Sequence, residues 1–163
     1  MILSIKNLPH MPLNRARMLT VAKGRPMNIK TQLCREYEKD LTSRLLEYKN
    51  EFTEFRKNFN PKEHYIEAVY TVFTPAELLF KKEGGISLRA SDNDSYKVFT
   101  DCLFDSIGLD DKYIRDQRII SAVSDDENWN YIISLEVKKL ELLCQRKYGL
   151  MQNIIEPQRS TLM

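Results

Sequence analysis

The stretch Tyr65-Ile66-Glu67-Ala68-Val69-Tyr70-Thr71-Val72-Phe73-Thr74 is dominated by β-branched and aromatic residues and stops at Pro75. Such side chains suit a pleated ladder, and apolar residues at both odd and even positions mark a strand buried on both faces. This run is therefore expected at the centre of a sheet. Upstream of it, Leu33, Tyr37, Leu41, Leu45, Tyr48, Phe52, Phe55 and Phe59 recur every three or four residues. That period is one stripe of a helix, and it predicts a single helix over 31–57, roughly 40 Å long at 1.5 Å per residue. Asn60 and Pro61 end it. Ile2–Ile5 reads as a short strand, and 8–30, with Pro9, Pro12, Gly24 and Pro26, reads as a loop.

Downstream, Glu83-Gly84-Gly85 marks a turn, 86–90 a short strand, and 91–95 an acidic lead into a helix capped by Asp94 or Ser95. Val98, Phe99, Cys102, Leu103 and Ile107 form the buried side of that helix, and Gly108 stops it. A strand is expected over 115–123. Trp129, Tyr131, Ile133, Leu135 and Val137 then alternate with polar residues as a half-buried strand, with 125–128 as a hairpin turn between the two. Leu140, Leu143, Tyr148 and Met151 space a last helix, which packs on its own domain or serves as a docking helix for another protein. The order points to an α+β domain with a mixed or antiparallel sheet, one long helix and one or two shorter ones, spanning 1–138, followed by a C-terminal helix and tail over 139–163.

A chain of 163 residues suffices for one domain with a real core, and 42% hydrophobic against 29% charged residues excludes a disordered chain. Cys34, Cys102 and Cys144 make no CxxC pair, which argues against a disulfide framework or a zinc site and fits a reducing interior. No apolar run reaches the roughly 20 residues of a membrane helix, and a cytoplasmic location is expected. The formal charge of +2 hides an asymmetry. Residues 1–35 carry Lys6, Arg15, Arg17, Lys23, Arg25, Lys30 and Arg35 with no Asp or Glu, which leaves the remainder net acidic. A basic arm on an acidic body suits a polyanion partner and a separate carboxylate cluster for a cation.

That cluster is sought in Asp92 and Asp94, before a helix whose first turn presents Lys97, and in Asp110-Asp111 after its far end. A dozen helical residues span near 18 Å, so convergence requires the chain after the helix to fold back toward its start. Carboxylates 4 Å apart repel by about 4 kcal/mol at an effective dielectric of 20, and a hard divalent ion with oxygen ligands relieves this. Each residue also has a plainer reading. Asp92 and Asp94 can cap the helix, Lys97 and Asp101 can form an exposed pair four residues apart, and Asp110-Asp111 can shape a turn. His10 and His64 stand in no metal-ligand spacing, and there is no Gly-rich phosphate loop.

Asp92-Asn93-Asp94-Ser95-Tyr96-Lys97, then Asp101, Leu103 and Gly108-Leu109-Asp110-Asp111, resembles the signature of RusA-like Holliday-junction resolvases. Pro12-Leu13-Asn14-Arg15-Ala16-Arg17, Lys23-Gly24-Arg25 and Arg35-Glu36-Tyr37 are similar to that family's basic loop and first helix. The likeness covers about 2–138. It implies a homodimeric, Mg²⁺-dependent endonuclease, with Mn²⁺ able to substitute, that resolves branched DNA at four-way junctions by paired phosphodiester hydrolysis and needs no small-molecule substrate. By resemblance, Asp92, Asp94 and Asp111 hold the metal and Lys97 is the active-site lysine, while Asn14, Arg15, Arg17, Lys23, Arg25 and Lys30 face DNA. Ser95 replaces the family's usual Asn, and the interval from Asp94 to Lys97 is one residue shorter. A junction-binding protein without nuclease activity is the alternative that these departures suggest.

Overall fold

The computed structural model describes residues 1–11, 13–22, 25–85, 96–124 and 127–141. In chain order its elements are β1 (Ile2–Ile5), α1 (Leu13–Ala16), β2 (Arg17–Ala22), β3 (Arg25–Lys30), α2 (Gln32–Leu45), α3 (Lys49–Lys57), β4 (His64–Pro75), α4 (Ala76–Leu79), α5 (Lys97–Ile107), β5 (Ile114–Ser124) and β6 (Asn130–Lys139). Short 3-10 turns lie at Leu46–Tyr48 and Asp111–Tyr113.

The β-branched run is the inner strand β4, in a mixed four-stranded sheet of order β1-β6-β4-β5. It pairs antiparallel with β6 and parallel with β5. Parallel neighbours need a long crossover, and the segment that carries α5 provides it. This overturns the expected hairpin at 125–128: β5 and β6 do run in opposite directions, but β4 lies between them. Turn residues show that the chain reverses, not which strand it rejoins.

Along β4, Ile66, Ala68, Tyr70 and Val72 alternate onto the helix side and join one core with Leu3 and Ile5 of β1, Tyr131, Ile133 and Leu135 of β6, and the apolar side chains of α2, α3 and α5. Phe99 of α5 meets Tyr70 edge-on, with ring centres 6.0 Å apart, and stacks on Tyr131 at 5.1 Å. The opposite side is less covered than expected. Tyr65 and Glu67 are buried there, but Val69, Thr71 and Phe73 are half-buried.

The helix expected over 31–57 is two helices with a tighter turn at Leu46–Tyr48. Its stripe is real at Tyr37, Leu41, Leu45, Phe52 and Phe55, all buried, whereas Leu33 in the first turn faces solvent. At the break the Tyr48 hydroxyl accepts from the Ser4 amide and donates to the Ser4 carbonyl, at 3.1 and 2.6 Å, so it covers the outer edge of β1. An apolar period reports the buried stripe and is insensitive to one tightened turn.

The stretch 8–30, expected as a loop, contains α1 and an antiparallel ribbon of β2 and β3, a two-stranded sheet of its own. Prolines and a glycine in a sequence argue against strands. Pro26 sits opposite Val21 in this ribbon, an edge position where the missing amide hydrogen is tolerated. The strand expected at 86–90, the acidic stretch 91–95, and Leu143, Tyr148 and Met151 lie outside the described residues. Among the described residues no helix is long and apolar enough to cross a membrane.

Candidate active site

Helix α5 is preceded by the buried Tyr96, which makes no side-chain cap, and the expected caps Asp94 and Ser95 lie outside the described residues. Val98, Phe99, Cys102, Leu103, Phe104 and Ile107 bury one side of it, which leaves Lys97 and Asp101, one turn apart, half-exposed on the other. Gly108 then takes a left-handed conformation, φ +77°, that closes the helix. Asp110 accepts from the Lys112 amide at 2.9 Å and caps the 3-10 turn that sends the chain into β5.

This reversal brings Asp111 back to Lys97 at the start of the helix. The Lys97 ammonium donates to Asp101 Oδ1 at 2.7 Å and to Asp111 Oδ2 at 2.8 Å. The hydrogen bond it donates to Asp101, then the one to Asp111, hold the ammonium well above the usual lysine range, so it is charged at any physiological pH. The exposed Lys97–Asp101 pair read from the sequence is present, and the same ammonium also reaches Asp111.

Lys97, Thr100, Asp111, Arg115 and Gln117 surround a cavity of about 360 Å³, with Ile114 and Ile119 as its apolar wall. Beneath it the Thr100 hydroxyl donates to the Tyr70 hydroxyl at 3.3 Å. Burial, with the Asp111 charge adding and the Thr100 bond opposing, pushes the Tyr70 phenol up to about 12. The phenol is therefore neutral. On the other side of Lys97 lies a second cavity of about 260 Å³, lined by Arg17, Lys30, Cys34, Glu38 and Asp101.

Of the residues singled out in the sequence, Lys97 and Asp111 thus meet, and Arg17 and Lys30 reach the adjoining cavity. Lys30 is engaged there by Glu38 at 2.6 Å. Arg15 is exposed on α1, and Arg25 is exposed at the far end of the ribbon, opposite Ala22. Asn14 lies in α1. Asp92, Asp94 and Lys23 lie outside the described residues. Among the described residues no group of three or more His, Cys, Asp or Glu is placed to hold a metal ion.

The joint that sets the basic ribbon beside α5 is Thr31. Its amide donates to the Ala16 carbonyl at 2.9 Å, its hydroxyl donates to the Arg15 carbonyl at 2.8 Å, and the same oxygen accepts from the Cys34 amide as the cap of α2. Sequence reasoning did not find Thr100, Arg115 or Gln117. The alternation of the strand after the Asp-Asp pair was available as a signal, but a register break in β5 obscures which of its residues face the helices. Compared with known proteins, the chain matches no family model, and no curated protein matches it significantly.

Proposed function

We propose that this chain is a Mg²⁺-dependent, structure-selective DNA endonuclease of the RusA-like type that resolves four-way junctions as a homodimer. The observation that carries the reading is the Lys97 ammonium bridging Asp101 and Asp111, with Arg17 and Lys30 of the basic ribbon lining the cavity next to it. Three segments far apart along the chain, an arm, a helix start and a post-helix turn, put charges of both signs around one point.

The donor chemistry fits a hard divalent ion. Asp111 and Asp101 offer half-exposed carboxylate oxygens. Asp111 would hold the ion together with Asp92 and Asp94, the residues that resemblance assigns. A bound Mg²⁺ supplies an activated water and charge stabilisation at phosphate oxygens. The chain's own contribution is electrostatic. Lys97, fixed by two hydrogen bonds, holds a positive charge where negative charge develops on a phosphate, and the buried Thr100–Tyr70 pair under the cavity adds no competing charge.

The test is nicking of a synthetic four-way junction with and without Mg²⁺ or Mn²⁺. Asp111→Asn and Asp92→Asn are expected to stop nicking while junction binding survives. Nicking by Asp111→Asn at the wild-type rate overturns the assignment. A second reading, an inactive junction-binding protein, is favoured by one feature: both carboxylates of the described site are already committed to Lys97. Junction binding with no cleavage in either metal selects it.

A further inference from the structure

The ladder between β4 and β5 slips at one point. Ile66 is level with Ile114 but Glu67 is level with Asp116, so Arg115 is an extra residue, a β-bulge in a parallel pair. Bulges re-aim a side chain, and here Arg115 joins Gln117, two residues on, in lining the cavity that holds Lys97 and Asp111. Two of the three ammonium hydrogens of Lys97 are taken by carboxylates. Arg115 is exposed, and among the described residues it has neither an ion-pair nor a hydrogen-bond partner.

We infer that Arg115, with the Gln117 amide beside it, is a seat for a backbone phosphodiester on the β5 side of the cavity. The inference rests on the nucleic-acid reading above and deepens it: Lys97 belongs to the reacting phosphate, Arg115 to a neighbouring phosphate that positions the strand. A guanidinium presents a planar fork of donors that matches two phosphate oxygens, which an ammonium does not. The Ile114 and Ile119 wall reduces screening by water beside it. Arg118 supplies the contrast. It lies on the opposite side of β5, level with Val69, and is paired with Asp116 at 3.4 Å.

The experiment uses the full chain and a labelled four-way junction, with binding read by fluorescence anisotropy in Ca²⁺ and nicking read in Mg²⁺. Arg115→Ala is expected to raise Kd and KM about 10- to 100-fold with kcat little changed, and Arg115→Lys to recover only part of this. Arg118→Ala is expected to stay within about twofold of wild type. Equal losses in Arg115→Ala and Arg118→Ala, or no loss in either, overturn the seat. If the wild type binds but never nicks, a loss of binding confined to Arg115→Ala upholds the seat while the nuclease reading falls. A wild type that binds no DNA sinks both.

Discussion

Lys97 separates what a charge does for stability from what it does for chemistry. Its two ion pairs are half-exposed, and pairs of that kind are worth about 0–1 kcal/mol. A cation fixed beside a reacting phosphate is worth about 100- to 1000-fold in rate. Lys97→Gln is therefore expected to melt near the wild-type temperature yet lose most of its nicking; a variant that loses both together would point to a structural role. Tyr131 is the opposite case. Its ring is buried against Phe99, and among the described residues its hydroxyl has no hydrogen-bond partner. Removing an unsatisfied buried hydroxyl is neutral or stabilising by up to about 1 kcal/mol, so Tyr131→Phe should raise the urea midpoint or leave it unchanged. Burial also raises the Tyr131 and Tyr37 phenols, and it pushes Cys102 up to about 12. A pKa higher in the folded state means that the unfolded chain releases its proton first as pH rises. Stability should hold to about pH 8.5, where an unfolded thiol begins to ionise, and fall more steeply above about pH 10 as unfolded tyrosines follow. Urea midpoints from pH 7 to 11 check this, and Tyr131→Phe should flatten the upper part of the curve.

At the scale of elements, two residues set where the charged groups meet. Thr31 caps α2 and holds the carbonyls of Arg15 and Ala16. Thr31→Ala should cost about 1 kcal/mol and weaken junction binding, with Thr31→Ser restoring both, because the cap also ties the root of the basic ribbon. Gly108 turns the chain back toward Lys97 in a conformation that a Cβ disfavours, and an added Cβ would lie 2.8 Å from the mobile end of Arg56. Gly108→Ala should cost about 1–2 kcal/mol by thermal melting and lower nicking further by shifting Asp111. These same elements show what was legible beforehand. The central strand, the helix after the acidic stretch and its Gly108 stop follow from local propensity, and so does the Lys97–Asp101 spacing. The ribbon did not, since Pro26 and Gly24 mask its alternation, nor did the partner of β5, since strand order is fixed by packing at a distance. The bulge at Arg115 is legible only once the register of two strands is known.

Across the whole molecule, the amino-terminal excess of positive charge is not a diffuse halo. The ribbon carries Arg17 and Lys30 at its root, against the Lys97 side of α5, and Arg25 toward its far end. Among the described residues two carboxylates line the cavity at that root, Glu38, which already engages Lys30, and Asp101, which holds Lys97. A polyanion laid along the ribbon would therefore release condensed counterions at each phosphate it meets, and the binding constant should fall with salt at a logarithmic slope near −0.9 per neutralised phosphate. Arg17→Ala and Arg25→Ala should each reduce that slope by about 1. Lys30→Ala should reduce it less, because its charge is partly satisfied within the chain before DNA arrives. Titrations of a fixed junction from low to physiological salt read all three slopes directly. A wild-type slope near zero, or one that the Arg17 and Arg25 variants leave unaltered, would remove the ribbon from the interface and leave the carboxylate–lysine cluster without a route for its strand.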